Sequence, residues 1–213
     1  MDCCKTQTYE RQFDENLASN DLRRYRRKGP DRTTRMLIKA LKSEGVEGKT
    51  LLDIGAGVGA ITHALLASGV RRAVIVDASG PYLGAARRVA EANGTQDQVD
   101  FVHGDFVELA SSIAAADIVT LDRVICCYSD MPSLVSNSTD RARRYYGLVY
   151  PRDRWWVRLA IRILNFVQRL RRDPFLVFAH PNREVEDQIL TRGFEGRYRH
   201  EGIFWQVALY RRA

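Results

Sequence analysis

Between residues 50 and 122 the apolar positions fall into two alternating rhythms. Short, largely apolar runs at 51–54, 73–76, 99–102 and 117–121 read as strands buried on both faces. The stretches between them, with Ile61, Leu65 and Leu66 after the first run and residues 82–92 after the second, carry helical spacing. Strand–helix alternation of this kind predicts a Rossmann-like α/β fold: a doubly wound, mostly parallel sheet with helices on both faces. Upstream, Phe13, Leu17, Leu22 and Tyr25 recur at helical spacing and Gly29-Pro30 breaks the pattern, so a helix is expected within residues 1–30. Asp31 is placed to cap a second helix with Met36, Leu37, Ala40 and Leu41 on its apolar stripe. After Asp130 the rhythm loosens. Residues 145–150 read as a fifth strand, 154–172 as an amphipathic helix stopped by Pro174, and 182–191 as a helix stopped near Gly193. Residues 197–199 and 204–210 read as a closing antiparallel hairpin. The 213 residues fit one domain, with 1–45 as an N-terminal helical cap and 143–175 as a helical insert placed to act as a substrate lid.

The chemistry concentrates where strands end. Asp53-Ile54-Gly55-Ala56-Gly57-Val58-Gly59 follows the first strand and opens a helix. Glycines there let the backbone turn sharply and approach a ligand closely. The spacing is G-x-G-x-G, one residue short of the dinucleotide fingerprint. Asp53 would repel a pyrophosphate but would suit the ammonium of a cationic amino-acid ligand, directly or through water. These two features disfavour a nicotinamide dehydrogenase. Asp77-Ala78 ends the second strand about 20 residues past the glycine turn, where an acidic side chain grips ribose hydroxyls. Gly104-Asp105-Phe106 follows the third strand, where Asp105 can accept from an adenine amino group. Each acid alone could instead be a helix cap. Three at successive strand ends point to one ligand lying across the sheet.

These motifs, together with Val76-Asp77-Ala78-Ser79 and 117–122, resemble the successive motifs of class I S-adenosylmethionine-dependent methyltransferases over roughly residues 48–128. The resemblance implies S-adenosyl-L-methionine as cofactor. Asp53, Gly55, Ala56, Gly57 and Gly59 would lie under its methionine part, Asp77 and Ala78 at the ribose, Asp105 and Phe106 at the adenine, and Asp122 near the transferred methyl. A narrower similarity, to magnesium-protoporphyrin O-methyltransferases, rests on the layout after the fourth strand and on His180-Pro181, Gly193-Phe194 and Phe204. Those enzymes carry His-Tyr where this chain has Cys127-Tyr128, so their carboxyl chemistry is not carried over.

Composition adjusts the picture only in part. Hydrophobic residues make up 45% and charged residues 28%, an ordinary globular balance. No apolar run reaches membrane-spanning length and residues 1–5 lack a signal-peptide core, which predicts a cytoplasmic protein. Cys3-Cys4 and Cys126-Cys127 lack zinc-ligand spacing, so reduced thiols and no metal are expected. The net charge of +7 gathers in Arg23, Arg24, Arg26, Arg27 and Lys28 and again from Arg152 to Arg172. It keeps a nucleic-acid partner open, although no D/N-P-P-Y/F/W motif follows the fourth strand. The expected activity is methyl transfer to a small organic molecule, at oxygen on an acidic or flat apolar acceptor. The alternatives are an RNA methyltransferase, or a cofactor-binding protein without catalysis. Tyr128, Asp122 and Tyr25 are the candidate catalytic side chains. The arginine- and tryptophan-rich helix around Trp155 fits either a lid or a helix lying peripherally on a membrane. Oligomeric state is left open.

Overall fold

The apolar runs become the centre of a seven-stranded sheet in the computed structural model, which describes residues 9–213. Cys3, Cys4 and the start of the expected first helix lie outside the described residues. Strands β1 (Thr50–Ile54), β2 (Arg72–Asp77), β3 (Val99–His103), β4 (Ala116–Asp122), β5 (Ala142–Pro151), β6 (Phe194–Glu201) and β7 (Trp205–Arg212) stand in the order β3-β2-β1-β4-β5-β7-β6. The first five pair in parallel, and β7 runs antiparallel between β5 and β6. The order reverses between β1 and β4, which places a ligand crevice outside the carboxyl ends of these strands.

Two helical layers cover the sheet, and strand alternation divides the core between them. On one face Leu51, Ile75, Ile118, Val149 and Leu209 pack under α2 (Arg32–Ser43), α3 (Ala60–Leu66) and α4 (Gly80–Ala92). On the other, Leu52, Ile54, Leu121, Tyr146 and Leu148 pack under α5 (Phe106–Leu109), α6 (Met131–Asp140) and α8 (Asn182–Leu190). The amphipathic α7 (Trp155–Leu170) crosses the carboxyl side. The N-terminal helix α1 (Glu15–Lys28) is started by Asp14, which accepts from the Leu17 amide, and it packs Ala18 and Leu22 on Tyr82, Ala85 and Val89 of α4.

Three expectations need correction. Residues 143–151 are not part of a helical insert but belong to β5, whose Tyr145–Pro151 stretch is buried between β4 and β7. The insert proper begins after Pro151. Asp31 sits at the N-cap position of α2 without bonding an amide of that helix; its carboxylate is taken by Arg123 at 2.7 Å. That guanidinium holds the Asp31 carboxyl below its ordinary range. The loosened rhythm after Asp130 conceals α6, in which Met131, Leu134, Val135 and Ser138 are buried and Asp130 caps by accepting from the Ser133 amide. Among the described residues no helix is long and apolar enough to cross a membrane.

Candidate functional site

A cavity of about 600 Å³ opens at the carboxyl ends of the parallel strands. Gly55, Ala56, Gly57, Asp77, Ala78, Asp105, Phe106, Asp122, Tyr25 and Tyr128 all line it, and Asp53 and Gly59 do not. Strand ends in register deliver the acids to one place: Ile54, Val76 and Leu121 are neighbours across the three central strands.

Asp53 is the clearest correction. Its side chain is 1% exposed, with one oxygen accepting from the Thr120 hydroxyl at 2.7 Å and the other from Thr62 at 2.8 Å. It therefore ties β1 to β4 and α3 beneath the glycine turn rather than facing a ligand. Burial pushes its carboxyl up to about 7, against the pull of both hydroxyls. A carboxyl raised on folding favours the fold below its unfolded value, and that advantage is lost as pH rises toward 7. Asp53→Asn, which keeps an acceptor but cannot ionise, is expected to flatten the fall in unfolding free energy between about pH 4 and 7. Denaturant titrations across that range check it; an unchanged slope would refute the assignment. Gly59 serves the turn too: its φ is +76° and a Cβ there would lie 2.7 Å from His63 Nε2.

Asp77 braces the turn and still faces the cavity. One oxygen accepts from the Gly57 amide at 3.0 Å, the other from the Ser79 amide at 2.9 Å. A carboxylate oxygen has about two acceptor positions, so each retains one for a neighbouring hydroxyl. Burial raises this carboxyl to about 6. Asp105 caps α5 by accepting from the Val107 amide at 2.8 Å. The Tyr128 hydroxyl donates to the same carboxylate at 2.9 and 3.0 Å, leaving room on Oδ2 for one further donor.

Tyr128 thus belongs to the Asp105 end of the cavity, and it does not serve as a base. Burial and the neighbouring Asp105 carboxylate push its hydroxyl far above the ordinary tyrosine value, which keeps it a donor at neutral pH. Because its hydroxyl is spent on the Asp105 carboxylate, Tyr128→Phe is expected to weaken cofactor-product binding by about three- to tenfold. The pH profile of turnover should not change. Tyr25 lines the cavity from α1, its hydroxyl without a partner among the described residues and raised by burial.

Asp122, at the end of β4, accepts from Thr34 of α2 at 2.5 Å through Oδ2. Its Oδ1 is buried with no hydrogen-bond partner among the described residues, the Arg123 guanidinium standing 3.7 Å away. Burial raises this carboxyl above the ordinary value, and Arg123 opposes the rise. Arg123 itself was not legible in the sequence. It adopts φ 64°, bonds Asp31 and Thr33, and lies over the Trp205 ring at 5.2 Å.

The sequence also does not anticipate the roof. Tyr9 donates to the Cys127 carbonyl at 3.0 Å, and Phe13 meets Phe175 edge-on at 5.4 Å. Ser79 fixes the same segment by donating to the Phe13 carbonyl at 2.6 Å. Cys126 and Cys127 line the cavity with sulfurs 3.8 Å apart. The adjacent Cys127 thiol and burial hold Cys126 protonated, so it is no nucleophile at neutral pH. His180 bonds the Tyr128 carbonyl at 2.8 Å and lies outside the cavity wall. Trp155, Trp156, Phe166 and the α7 arginines also lie outside that wall; the helix contributes only Ala160, Ile161 and Leu164. It does not close over the cavity with the residues expected of a lid.

The donor set fits an adenosylated sulfonium. Five carboxylates (Asp21, Asp31, Asp77, Asp105, Asp122) line the cavity against two guanidiniums, Arg24 and Arg123, a balance that favours a cationic ligand. The unpartnered Asp122 oxygen is a buried acceptor that a ligand would satisfy.

Residues 51–143 match the family described as methyltransferase domain. A ribosomal protein L11 methyltransferase from Alteromonas mediterranea is 32% identical over 93 residues, 43% of this chain and 32% of the relative. The chain spans about a quarter to a third of the length of the curated relatives it matches. Among solved structures, magnesium protoporphyrin IX methyltransferase from Synechocystis PCC 6803 with bound SAH superposes with a TM-score of 0.69 at 17% identity, covering 85% of this chain and 82% of the other. An O-methyltransferase family protein from Burkholderia thailandensis gives a TM-score of 0.71 at 14% identity, covering 95% and 62%. The match over residues 51–143 makes that part of the chain similar to methyltransferase domains, and the solved structures share its fold.

Proposed function

We propose that this protein transfers a methyl group from S-adenosylmethionine to a small, predominantly apolar organic acceptor, at oxygen. The observation that carries the acceptor class is the wall of the cavity beyond the strand-end acids. It comes from Ala160, Ile161, Leu164, Phe175, Val177 and Trp205, none of them charged. Of the two acceptor types expected from the sequence, the flat apolar one is favoured. The arginines of α7 face away, and Arg24 and Arg123 are engaged with Asp21, Asp31 and Asp122. An RNA acceptor finds no free cationic group on the cavity wall among the described residues.

Asp77 would hold the ribose hydroxyls, Asp105 an adenine amino group, and the glycine turn the amino-acid part. The bound cofactor supplies the electrophilic methyl. The protein aligns an acceptor hydroxyl for in-line attack and keeps water away with its apolar walls. Among the described residues Asp122 is the one acid of the site with a buried oxygen that has no hydrogen-bond partner, and it is proposed to accept the hydrogen bond of the acceptor hydroxyl or of the cofactor ammonium. A panel of planar phenols and aliphatic alcohols, incubated with labelled cofactor, tests the reading. Turnover of phenolic acceptors supports it, and turnover only of carboxylic acids or of RNA would reverse the choice of acceptor.

A further inference from the structure

Helix α7 is built with two apolar faces, and the fold uses only one. Val157, Ile161 and Gln168 are buried against the protein. Asn165 locks the helix's rotation by exchanging two hydrogen bonds with the Val177 backbone, at 2.7 and 2.9 Å. At about 100° per residue, Trp155, Phe166, Leu159, Leu170, Ile163 and Trp156 then fall within an arc of about 100° on the opposite side. Trp155 is 72% exposed, Leu170 69%, Phe166 62% and Ile163 56%. Seven of the ten large hydrophobic side chains exposed among the described residues lie on this one helix. A patch of that size in one element marks an interaction surface rather than scattered surface apolarity.

The charges beside the arc choose the occupant. Arg158, Arg162 and Arg169 line one edge of it, and the helix carries no acidic residue. Arg158 is paired with Asp153, while Arg162 and Arg169 have no anionic partner among the described residues. Arg171 and Arg172 extend the cationic end past the helix. Tryptophans and a phenylalanine on one side, with arginines along the flank, are the pattern of a helix lying in the plane of a lipid interface. A second copy of the chain would bring the same cationic edge with it. We propose that α7 docks this protein on the surface of an anionic phospholipid bilayer, its Trp155–Leu170 face in the headgroup region and its arginines on lipid phosphates. The opposite edge of the helix, through Ala160 and Leu164, lines the cavity, so docking would set the cavity mouth beside the lipid. Docking does not depend on which acceptor is methylated.

The test is vesicle flotation of the full chain, with tryptophan emission as a second readout, because Trp155 and Trp156 are two of its three tryptophans. On vesicles of phosphatidylglycerol and phosphatidylcholine the protein should float at low salt with a blue shift. On phosphatidylcholine alone, binding should be at least tenfold weaker. The triple variant Arg158→Gln, Arg162→Gln, Arg169→Gln should lose roughly fivefold per arginine. The variant Trp155→Ser, Phe166→Ser, Leu170→Ser alters only exposed positions, should keep its circular dichroism spectrum and its binding of S-adenosylhomocysteine, and should no longer float. Absence of flotation from anionic vesicles, or equal binding to neutral ones, would overturn the proposal. So would a dimer in sedimentation equilibrium that the serine variant dissolves while no vesicle binding is seen.

Discussion

Asp77→Ala is expected to weaken binding of S-adenosylhomocysteine by about 10²- to 10⁴-fold. The ionised carboxylate offers one free acceptor position on each oxygen, and a hydrogen bond to a charged group contributes about 1.5–3 kcal/mol. The same substitution frees the Gly57 and Ser79 amides that Asp77 now holds at 3.0 and 2.9 Å, loosening the glycine turn. Asp77→Asn keeps one acceptor oxygen and should lie between the two. Calorimetric titration distinguishes them, and an affinity within threefold of the parent for the alanine variant would remove Asp77 from the site. A pH dependence accompanies this role. Burial raises the Asp77 carboxyl to about 6 and binding requires its ionised form, so affinity should hold above about pH 7 and decline as pH falls through 6. In Asp77→Asn that decline should largely disappear.

The second large effect is at Gly55, which turns the chain out of β1 with φ +60°. A Cβ there would sit 2.5 Å from Cγ2 of Val124, a branched side chain with little room to rotate away. Left-handed backbone costs a non-glycine residue roughly 1–2 kcal/mol, and overpacking about 1–3 kcal/mol more. Gly55→Ala should therefore lower stability by about 2–5 kcal/mol and the melting temperature by roughly 5–15 °C. Adding Val124→Ala relieves the collision but not the backbone, so the double variant should recover part of the loss. Full recovery would show that φ at this position is not constrained, and no loss in the single variant would show that the turn is built differently.

The sequence disclosed those features in which a local pattern decides the structure. Parallel strands buried on both faces appear as apolar runs, and Asp77, Asp105 and Phe106 follow directly from where those runs stop. The features set by distant partners stayed hidden. Asp53 sits in the glycine motif as a ligand-binding acid would, but its position is decided by Thr120, 67 residues away in sequence. Asp31 follows a helix-start pattern, yet Arg123 takes its carboxylate across 92 residues. Tyr128 follows β4 and Asp122 in sequence, and the backbone between Asp122 and Asp130 carries its hydroxyl to Asp105. Helix α6 is hidden in the sequence because two of its five buried positions are Ser138 and Thr139 and the others are interspersed with proline, serine and asparagine, which lowers the apolar contrast that marks a helix. The aromatic helix α7 was legible as amphipathic, but its rotation depends on Asn165 and the Val177 backbone, and only the fold shows that the Trp155 side faces outward.

Transfer of a labelled methyl group tests the proposed activity most directly. The protein is incubated with methyl-tritiated S-adenosylmethionine and a panel of planar hydroxylated acceptors, with RNA and protein acceptors in parallel, and label is counted in organic-extractable and macromolecular fractions. The arrangement of Asp77, Asp105 and Asp122 around an uncharged acceptor wall predicts label in the extractable fraction, lost in Asp77→Ala. Label confined to RNA or protein, or no transfer to any acceptor by a protein that binds S-adenosylhomocysteine, would contradict it.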